Sequence, residues 1–489
     1  MTVTKDRPRV VWINIDSLRP EVIYNLLDEG KLPNLGKMFG RGLRAPSAVG
    51  VFPSLTLPSQ ASLITGVYPG RHLITGDVWY DRYGKRPTYR DYRNSDTALQ
   101  LYGYRLWGFP TGLLPGVPEP ALGDNDISGA TPTVYMAVKS RSVRTAVSFT
   151  QFSRGASEWL RPHRTDVLQY RLCQAGRLSF GGVDRTVIRR TVNFIYDVKH
   201  LHRLLHIYLP GLDGHCHEHG PAAQEKYLRE QLDPALGRLL HALGDRYSME
   251  RYYFVLTSDH GQAAIPRDSS CAIGLEAVSG IMATMNLDCY KPGVRKNPKR
   301  VSVIAAPQGG SLHLYIKNLE SGHWYDTPRL QQDLLEVAKK LVETNEKETA
   351  GVPPGWIDLL LVSDRNRGTY LVIKGKKVYE PEKFFLKGNA KKYPNAAARL
   401  TGLQSRRSAD IIILPDYERG FHFGKASDRG QHGNLCADDS ISSMIFAGPG
   451  IAPGYFPEDT TLLDVSPTLA SFYKIGMQNT DGKERALFS

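Results

Sequence analysis

Three nearly continuous apolar runs, at residues 10–15, 204–209 and 252–256, constrain the fold of this chain more than any other feature of its sequence. Strands with one solvent-facing side alternate polar and apolar residues, so runs that do not alternate predict strands covered on both faces, as in a parallel sheet flanked by helices. Stretches with helical spacing of leucines, such as residues 228–243, separate these runs. The alternation predicts an α/β fold, with ligands gathered at the carboxyl ends of the strands.

One long stretch, residues 263–429, breaks this alternation with basic loops and scattered strand-like segments. We interpret it as an insertion or cap over the sheet. The predicted division is therefore a core hydrolase domain at 8–262, the insertion at 263–429, and the last part of the core at 430–480. The apolar segments 410–414 and 444–447 are both expected to be strands that return to the central sheet.

The composition excludes several classes of protein. The chain has 489 residues, 41% of them apolar, which is enough for a large core. Its five cysteines lack any C-x-x-C spacing, so neither a disulfide framework nor a zinc ribbon is indicated. The apolar run near the N-terminus is too short for a signal sequence or a membrane span, and we expect a cytoplasmic protein. The net charge of +13 comes without a nucleic-acid-binding motif, and it favours a small anionic substrate.

Carboxylate and imidazole groups follow the apolar runs. Asp16 follows the first run, Asp213 and His217 follow the second, and Asp259 and His260 follow the third. His432 and the hydroxyl of Thr56 lie in two further short motifs. Asp and His side chains suit zinc and related divalent ions, and a pair of such ions can stabilise the attacking and leaving oxygens of a displacement at phosphorus. These residues therefore predict a metal-dependent hydrolase.

The order of these motifs resembles the alkaline phosphatase superfamily, and within it the nucleotide pyrophosphatase/phosphodiesterase type. The matching segments, in chain order, are Asp16-Ser17-Leu18-Arg19, Phe52-Pro53-Ser54-Leu55-Thr56-Leu57-Pro58, Asp213-x-x-x-His217, Thr257-Ser258-Asp259-His260-Gly261 and His432-Gly433. The resemblance implies an α/β/α sandwich with a largely parallel central sheet and an inserted cap region. It also implies cleavage of a phosphate ester through a phosphothreonine on Thr56.

By the same resemblance, two divalent ions, expected to be Zn²⁺, are held at two places. Asp213, His217 and His432 hold one, and Asp16, Asp259 and His260 hold the other, with Thr56 beside them as both ligand and nucleophile. The resemblance also leads us to expect a phosphoryl-binding group near the nucleophile, for which Ser59 and Gln60 are the candidates. The free N–H groups of a helix that begins near Thr56 are expected to favour a phosphoryl oxygen.

Several alternatives stay open at this point. Ser54 or Ser59 is an alternative nucleophile, and His215 or His219 is an alternative to His217, whereas Asp464 is favoured as a helix cap over a ligand. The core is also compatible with a phosphomonoesterase, a phosphonate hydrolase or an inactive binding protein. A sulfatase is disfavoured because no C/S-x-P-x-R motif surrounds Thr56.

We expect specificity to lie in the insertion, because a segment between two ligand motifs must emerge near the site. Its basic clusters at 295–300 and 374–377, and the rings of Trp324, Tyr325 and Tyr370, are the expected contacts of an anionic or ring-bearing leaving group.

Overall fold

A computed structural model describes residues 8–83, 88–93, 99–104, 122–266, 268–290, 301–386 and 388–488. Its largest element is a central sheet of eight strands. In spatial order these strands are Gly454–Tyr455, Leu43–Arg44, Met444–Ala447, Tyr252–Thr257, Arg9–Ile15, Leu204–Leu209, Thr145–Ser148 and Glu158–Leu160. The three predicted apolar runs are neighbours at the middle of this sheet.

The central strands are parallel, as predicted. Arg9–Ile15 pairs in parallel with Leu204–Leu209 on one side and with Tyr252–Thr257 on the other, and only the pairs made by Met444–Ala447 are antiparallel. The prediction that Met444–Ala447 returns to this sheet is confirmed. Because three neighbouring strands run in one direction, the residues that follow them meet at one edge.

Both faces of the sheet are buried, which explains why apolar and polar residues do not alternate in the runs. In the first strand, Val11, Ile13 and Ile15 pack into one apolar cluster, whereas Val10 and Trp12 pack into another on the opposite face. Alternate side chains of a strand point to opposite faces, so each layer of helices needs its own apolar set. This arrangement confirms the predicted α/β/α sandwich.

Helices cover the two faces. The α-helices of the described residues are Pro20–Asp28, Pro33–Phe39, Thr56–Thr65, Pro69–His72, Leu122–Asp126, Val134–Lys139, Arg164–Gln174, Gly181–Asp197, Gly211–His219, Gln224–Tyr227, Asp233–Arg246, Leu275–Ala283, Glu336–Thr344, Pro381–Phe385, Ala396–Leu403, Ala437–Ser440 and Val465–Ser471. Helices Gly181–Asp197 and Asp233–Arg246 pack on the first face, and helices Thr56–Thr65 and Val465–Ser471 pack on the second.

A second sheet of seven strands occupies much of the stretch predicted to be an insertion. Its spatial order is Cys289–Tyr290, Val303–Pro307, Leu312–Ile316, Ile411–Pro415, Ile357–Asp364, Thr369–Lys374 and Lys377–Tyr379. The expectation that residues 410–414 return to the central sheet is wrong, because Ile411–Pro415 pairs with strands Leu312–Ile316 and Ile357–Asp364 of this second sheet. An apolar run shows that a strand is buried, but it does not identify its neighbours. The domain boundaries at 263 and 429 stay a prediction.

Short strand pairs complete the fold. Ala263–Ala264 pairs with Gly430–Gln431, Val78–Asp81 pairs with Thr88–Asp91, and Ala48–Val49 lies between Ile441–Ser442 and Thr460–Thr461. The first of these pairs brings the two ends of the predicted insertion together. In the described part of the chain, no helix has the length and apolar character needed to cross a membrane.

Candidate functional site

The carboxyl edge of the central sheet gathers the predicted ligands. Asp16 follows strand Arg9–Ile15 directly, and Asp259 and His260 lie two and three residues after strand Tyr252–Thr257. Asp213 lies in the first turn of helix Gly211–His219, which begins just after strand Leu204–Leu209. The parallel arrangement therefore brings together groups that are up to 244 residues apart in sequence.

Helix Gly211–His219 separates its histidines by face. Asp213 and His217 are four residues apart and lie on one side, with the His217 Nε2 atom 3.4 Å from the Asp213 Oδ1 atom. His215 and His219 lie on another side, where their rings contact each other and the His215 ring contacts Tyr227. Residues four apart share a helical face, whereas residues two apart do not. The structure therefore places His217, and not His215 or His219, at the cluster.

His432 directly follows strand Gly430–Gln431, which pairs with Ala263–Ala264 at the other end of the predicted insertion. Its ring stacks on the ring of His260 with 3.9 Å between centroids, and its Nε2 atom lies 3.1 Å from the Nε2 atom of His217. The Arg429 N–H donates to the His217 carbonyl at 2.7 Å, which fixes the turn before His432 to the helix that carries His217.

All three imidazoles are oriented by backbone carbonyls. The Nδ1 atoms of His217, His260 and His432 lie 2.8, 2.9 and 3.1 Å from the carbonyl oxygens of Gly430, Gly261 and Ser54. A carbonyl only accepts, so each Nδ1 carries a proton and each Nε2 faces the cluster, where the neutral ring can bind a metal ion. Metal-ligating histidines are commonly held in this way.

The donor atoms form two adjoining groups. Asp16, Asp259 and His260 each offer a ligand atom within 4.8 Å of the other two, and so do Asp213, His260 and His432. His217 extends the second group, because its Nε2 atom is close to both Asp213 and His432. His260 therefore lies between the two groups, and all six predicted ligands converge.

The electrostatics of this cluster fit bound cations. Burial and the neighbouring carboxylates of Asp259 and Asp213 raise the pKa of Asp16 well above its ordinary value, and burial raises the pKa of Asp259 to about 6. Burial would lower the pKa of His432, but the Asp213 carboxylate outweighs it and raises that pKa to about 9. Adjacent buried carboxylates repel each other, and the cluster favours positive charge beside Asp213. In addition, the buried Oδ1 atom of Asp16 has no hydrogen-bond partner among the described residues. The donor set, its orientation and its charge thus fit two divalent ions.

Among the candidate nucleophiles, Thr56 lies at the cluster. It is the first residue of helix Thr56–Thr65, and its Oγ1 atom is 3.2 Å from the His260 Nε2 atom. The Ser54 hydroxyl is instead buried between the Asn434 carbonyl and the Arg399 guanidinium, which donates to it at 2.9 Å. The Ser59 hydroxyl is buried without a hydrogen-bond partner among the described residues, and Ser59 does not line the cavity described below. The nucleophilic role of Thr56 stays a prediction that this placement supports.

The start of this helix offers fewer free donors than the sequence suggests. The Leu57 N–H points at the Asp77 Oδ1 atom at 3.4 Å, Pro58 has no N–H, and the Ser59 N–H bonds to the Leu55 carbonyl at 3.0 Å. Only the N–H of Thr56, at the first position of the helix, makes no hydrogen bond with the described residues. The Gln60 amide donates to the Asp259 Oδ2 atom at 3.1 Å, so its side chain supports a ligand. Contact of Ser59 or Gln60 with substrate stays a prediction.

A cavity of about 610 Å³ opens beside Thr56. Its walls contain Asp16, Asp77, Asp213, His217 and His432 at the cluster. Farther away, apolar and aromatic side chains dominate the wall, and they include Leu101, Tyr102, Phe149, Val167, Tyr170, Phe180 and Phe423. This cavity has the size of a small-molecule site and joins the nucleophile to an apolar compartment.

The insertion lines this cavity with other residues than those predicted. Gln308, Gly309 and the loop from Phe423 to Asp428 contribute to the wall. Trp324 and Tyr370 are instead buried in the core of the second sheet, so their predicted role as substrate contacts is wrong. Lys374 and Lys376 pair with Asp358 and Glu346 away from the cavity wall. Tyr325 is exposed and does not line the cavity either, and the 295–300 cluster lies outside the described residues.

One predicted helix cap, Asp464, and two side chains that were not predicted, Ser17 and Asp77, remain to be placed. Asp464 accepts the Thr461 N–H at 2.9 Å in a capping box and pairs with Arg485, which confirms the preference for a cap. Ser17 and Asp77 were missed by the sequence reasoning. Ser17 directly follows Asp16, a position that could have signalled it, whereas Asp77 belongs to no recognisable motif.

Comparisons with known proteins agree with this geometry. The family model described as Type I phosphodiesterase / nucleotide pyrophosphatase matches residues 10–433. An uncharacterized pyrophosphatase/phosphodiesterase from Schizosaccharomyces pombe is 23% identical over 290 residues, which are 58% of this chain and 50% of that protein. The bis(5'-adenosyl)-triphosphatase of Bos taurus is 21% identical over 272 residues, 53% of this chain and 49% of that protein. The chain thus matches about half the length of these relatives.

Among solved structures, murine ectonucleotide pyrophosphatase / phosphodiesterase 5 superposes with a TM-score of 0.58 over 97% of both chains, at 13% identity. An inactive threonine-to-alanine variant of that murine protein in complex with AMP superposes equally well. At this identity the similarity establishes the fold.

Proposed function

The chain belongs to the type I phosphodiesterase / nucleotide pyrophosphatase family, and on that premise we propose that it is a phosphodiesterase or pyrophosphatase that depends on two divalent metal ions. It cleaves a phosphate ester by transferring the phosphoryl group to Thr56 and then to water. The observation that carries this proposal is the convergence of six candidate ligand side chains near the Thr56 hydroxyl, on the wall of a cavity.

In this proposal, Asp213, His217 and His432 hold one ion, and Asp16, Asp259 and His260 hold the other. Zinc suits these donors, because Zn²⁺ binds imidazole nitrogen and carboxylate oxygen in sites of low coordination number. When bound, such ions lower the pKa of a hydroxyl beside them and neutralise charge that develops on a phosphoryl group.

The position of Thr56 at the start of its helix orients the oxygen that attacks phosphorus. Helix Thr56–Thr65 begins at the nucleophile, so its first turn fixes the Thr56 Oγ1 atom toward the cluster. In the first displacement, the Thr56 oxygen loses its proton to solvent and bonds to phosphorus while the bond to the leaving oxygen breaks, and that leaving oxygen takes a proton from solvent. In the second, a water oxygen bonds to phosphorus while the bond between phosphorus and the Thr56 oxygen breaks; the water gives up a proton and the Thr56 oxygen takes one. The inactive threonine-to-alanine variant of the murine protein supports a threonine in this role.

The cavity indicates which leaving groups fit. Its apolar and aromatic wall favours an ester that carries a ring or another apolar group over a small inorganic phosphate. The relatives named as an adenosyl triphosphatase and crystallised with AMP act on or bind nucleotides. We therefore propose a nucleotide-like phosphodiester or pyrophosphate as the substrate class.

The test is hydrolysis of a substrate panel by metal-loaded and chelated protein. The panel contains a chromogenic phosphodiester, a dinucleoside polyphosphate, a phosphomonoester and a phosphonate ester. We expect turnover of the first two, loss of turnover after chelation, and recovery on adding Zn²⁺. Turnover of the monoester or the phosphonate alone would favour the related hydrolases, and a folded, metal-loaded protein without any turnover would favour a binding protein.

A further inference from the structure

Asp77 is a carboxyl group in the cavity beside the nucleophile that the proposed reaction does not use. It lies just before strand Val78–Asp81 and lines the same wall as Thr56 and His432. Its backbone N–H donates to the Gln308 Oε1 atom at 3.0 Å, and the Gln308 amide donates in turn to the Val78 carbonyl. Two elements of the fold therefore hold Asp77 in place.

Asp77 forms no salt bridge with the described residues. Its Oδ1 atom accepts the Leu57 N–H at 3.4 Å, and its Oδ2 atom has no hydrogen-bond partner among the described residues. Arg93 also lines the cavity wall, and its guanidinium pairs with Asp91 at 3.2 Å. Burial raises the pKa of Asp77 to about 6, against the attraction of the His432 imidazole and the Arg93 guanidinium. The group is thus an anion at pH 8.

This position opposes negative charge at the start of helix Thr56–Thr65. The phosphoryl group must bond to Thr56, and Asp77 contacts the backbone of the next residue, Leu57. The non-bridging oxygens of that phosphoryl group therefore come close to the Asp77 carboxylate. The Leu57 N–H, which would otherwise favour those oxygens, is already directed at Asp77. Like charges at such short range repel strongly where water is excluded.

We propose that Asp77 is a specificity-determining residue that makes the site select phosphoryl groups with a single negative charge over groups with two. Phosphodiesters and the internal phosphoryl groups of pyrophosphates belong to the selected class, whereas phosphomonoesters belong to the disfavoured class. This inference rests on the proposed function, because it concerns the same nucleophile and the same reaction.

The experiment compares Asp77→Asn with the parent at pH 8, with p-nitrophenyl phosphate as the monoester and bis-p-nitrophenyl phosphate as the diester. Asparagine keeps the shape of the side chain and an oxygen for the Leu57 N–H, but it removes the charge. We expect the ratio of kcat/KM for monoester to that for diester to rise about tenfold or more. Glu218→Gln is the matched control, because it removes one charge from the same wall at a residue whose side chain is 47% exposed. In the control, we expect that ratio to change by less than about twofold.

A measurement on the parent alone keeps the test independent of how well the variant folds. Phenylphosphonate as a dianion and its monomethyl ester as a monoanion are compared as inhibitors at pH 8, and the ester should bind more tightly by about tenfold or more. An unchanged substrate ratio in Asp77→Asn, or equal inhibition of the parent by the two compounds, would overturn the role of Asp77. Absence of diester turnover in the metal-loaded parent would instead overturn the proposed function.

Discussion

The hydroxyl of Ser17 bridges the two ligand groups, and replacing it with alanine is the sharpest test of how the cluster is held. Its Oγ atom donates to the Asp213 Oδ1 atom at 2.7 Å and accepts from the His260 Nδ1 atom at 3.2 Å. The side chain is fully buried, so no solvent replaces these contacts when the hydroxyl is removed. Ser17→Ala keeps the Cβ atom, and therefore the backbone at φ +60° carries the same strain in both proteins.

The expected magnitude follows from the two contacts. A hydrogen bond to a charged group contributes about 1.5–3 kcal/mol, and 1.4 kcal/mol corresponds to a tenfold change in an equilibrium constant. Loss of a side chain that orients metal ligands typically lowers metal affinity about 10- to 100-fold. We expect Ser17→Ala to lower the affinity for Zn²⁺ within that range while the fold stays intact.

The assay is competition for Zn²⁺ between the protein and a chromophoric chelator. Ser442→Ala is the matched control, because the Ser442 hydroxyl is also fully buried but has no hydrogen-bond partner among the described residues. Its removal should leave metal affinity unchanged. Equal affinity of Ser17→Ala and the parent would refute the bridging role, and an equal loss in both variants would show a general effect of buried serine.

Three further expectations follow from the same geometry. Thr56→Ala should lower turnover of the best diester by about a thousandfold or more with metal content unchanged, whereas Thr56→Ser should retain a fraction of the parent's turnover. Near-normal activity of Thr56→Ala would place the nucleophile elsewhere. Chelation should lower the melting temperature, because ions that bind only the folded chain stabilise it by mass action; an unchanged melting curve would argue against bound ions. Lys425 lies at the cavity wall, so Lys425→Ala should raise KM for an anionic diester more at low than at high salt. Lys376 pairs with Glu346 away from the cavity, and Lys376→Ala should not have this effect. Similar salt dependence of KM for both variants would assign the effect to overall charge.

The sequence predicts the central sheet, and it predicts that the six candidate ligands converge, for a physical reason. Strand Arg9–Ile15 is buried on both faces, so its composition alone reports its environment, and its carboxyl end fixes where Asp16 lies. The spacing of Asp213 and His217 on a helix likewise selects His217 over His215. In both cases, the spacing of residues along one strand or helix also determines which side chains face the site.

The remainder depends on contacts that local pattern does not report. Ile411–Pro415 is as apolar as a central strand but pairs within the second sheet. Tyr370 is a ring of the kind that binds substrates, yet its hydroxyl donates to the Ala409 carbonyl inside a core. Asp77 does not differ in sequence from the acidic residues Asp81 and Asp91 nearby, and only the fold places it against Leu57.

The most direct test of the central claim is the stereochemical course of diester hydrolysis at phosphorus. A chiral phosphorothioate diester is hydrolysed in isotopically labelled water, and the configuration of the product is determined. Two successive in-line displacements, first by Thr56 and then by water, predict net retention of configuration. Net inversion would show a single displacement by water, and it would contradict a phosphothreonine on Thr56.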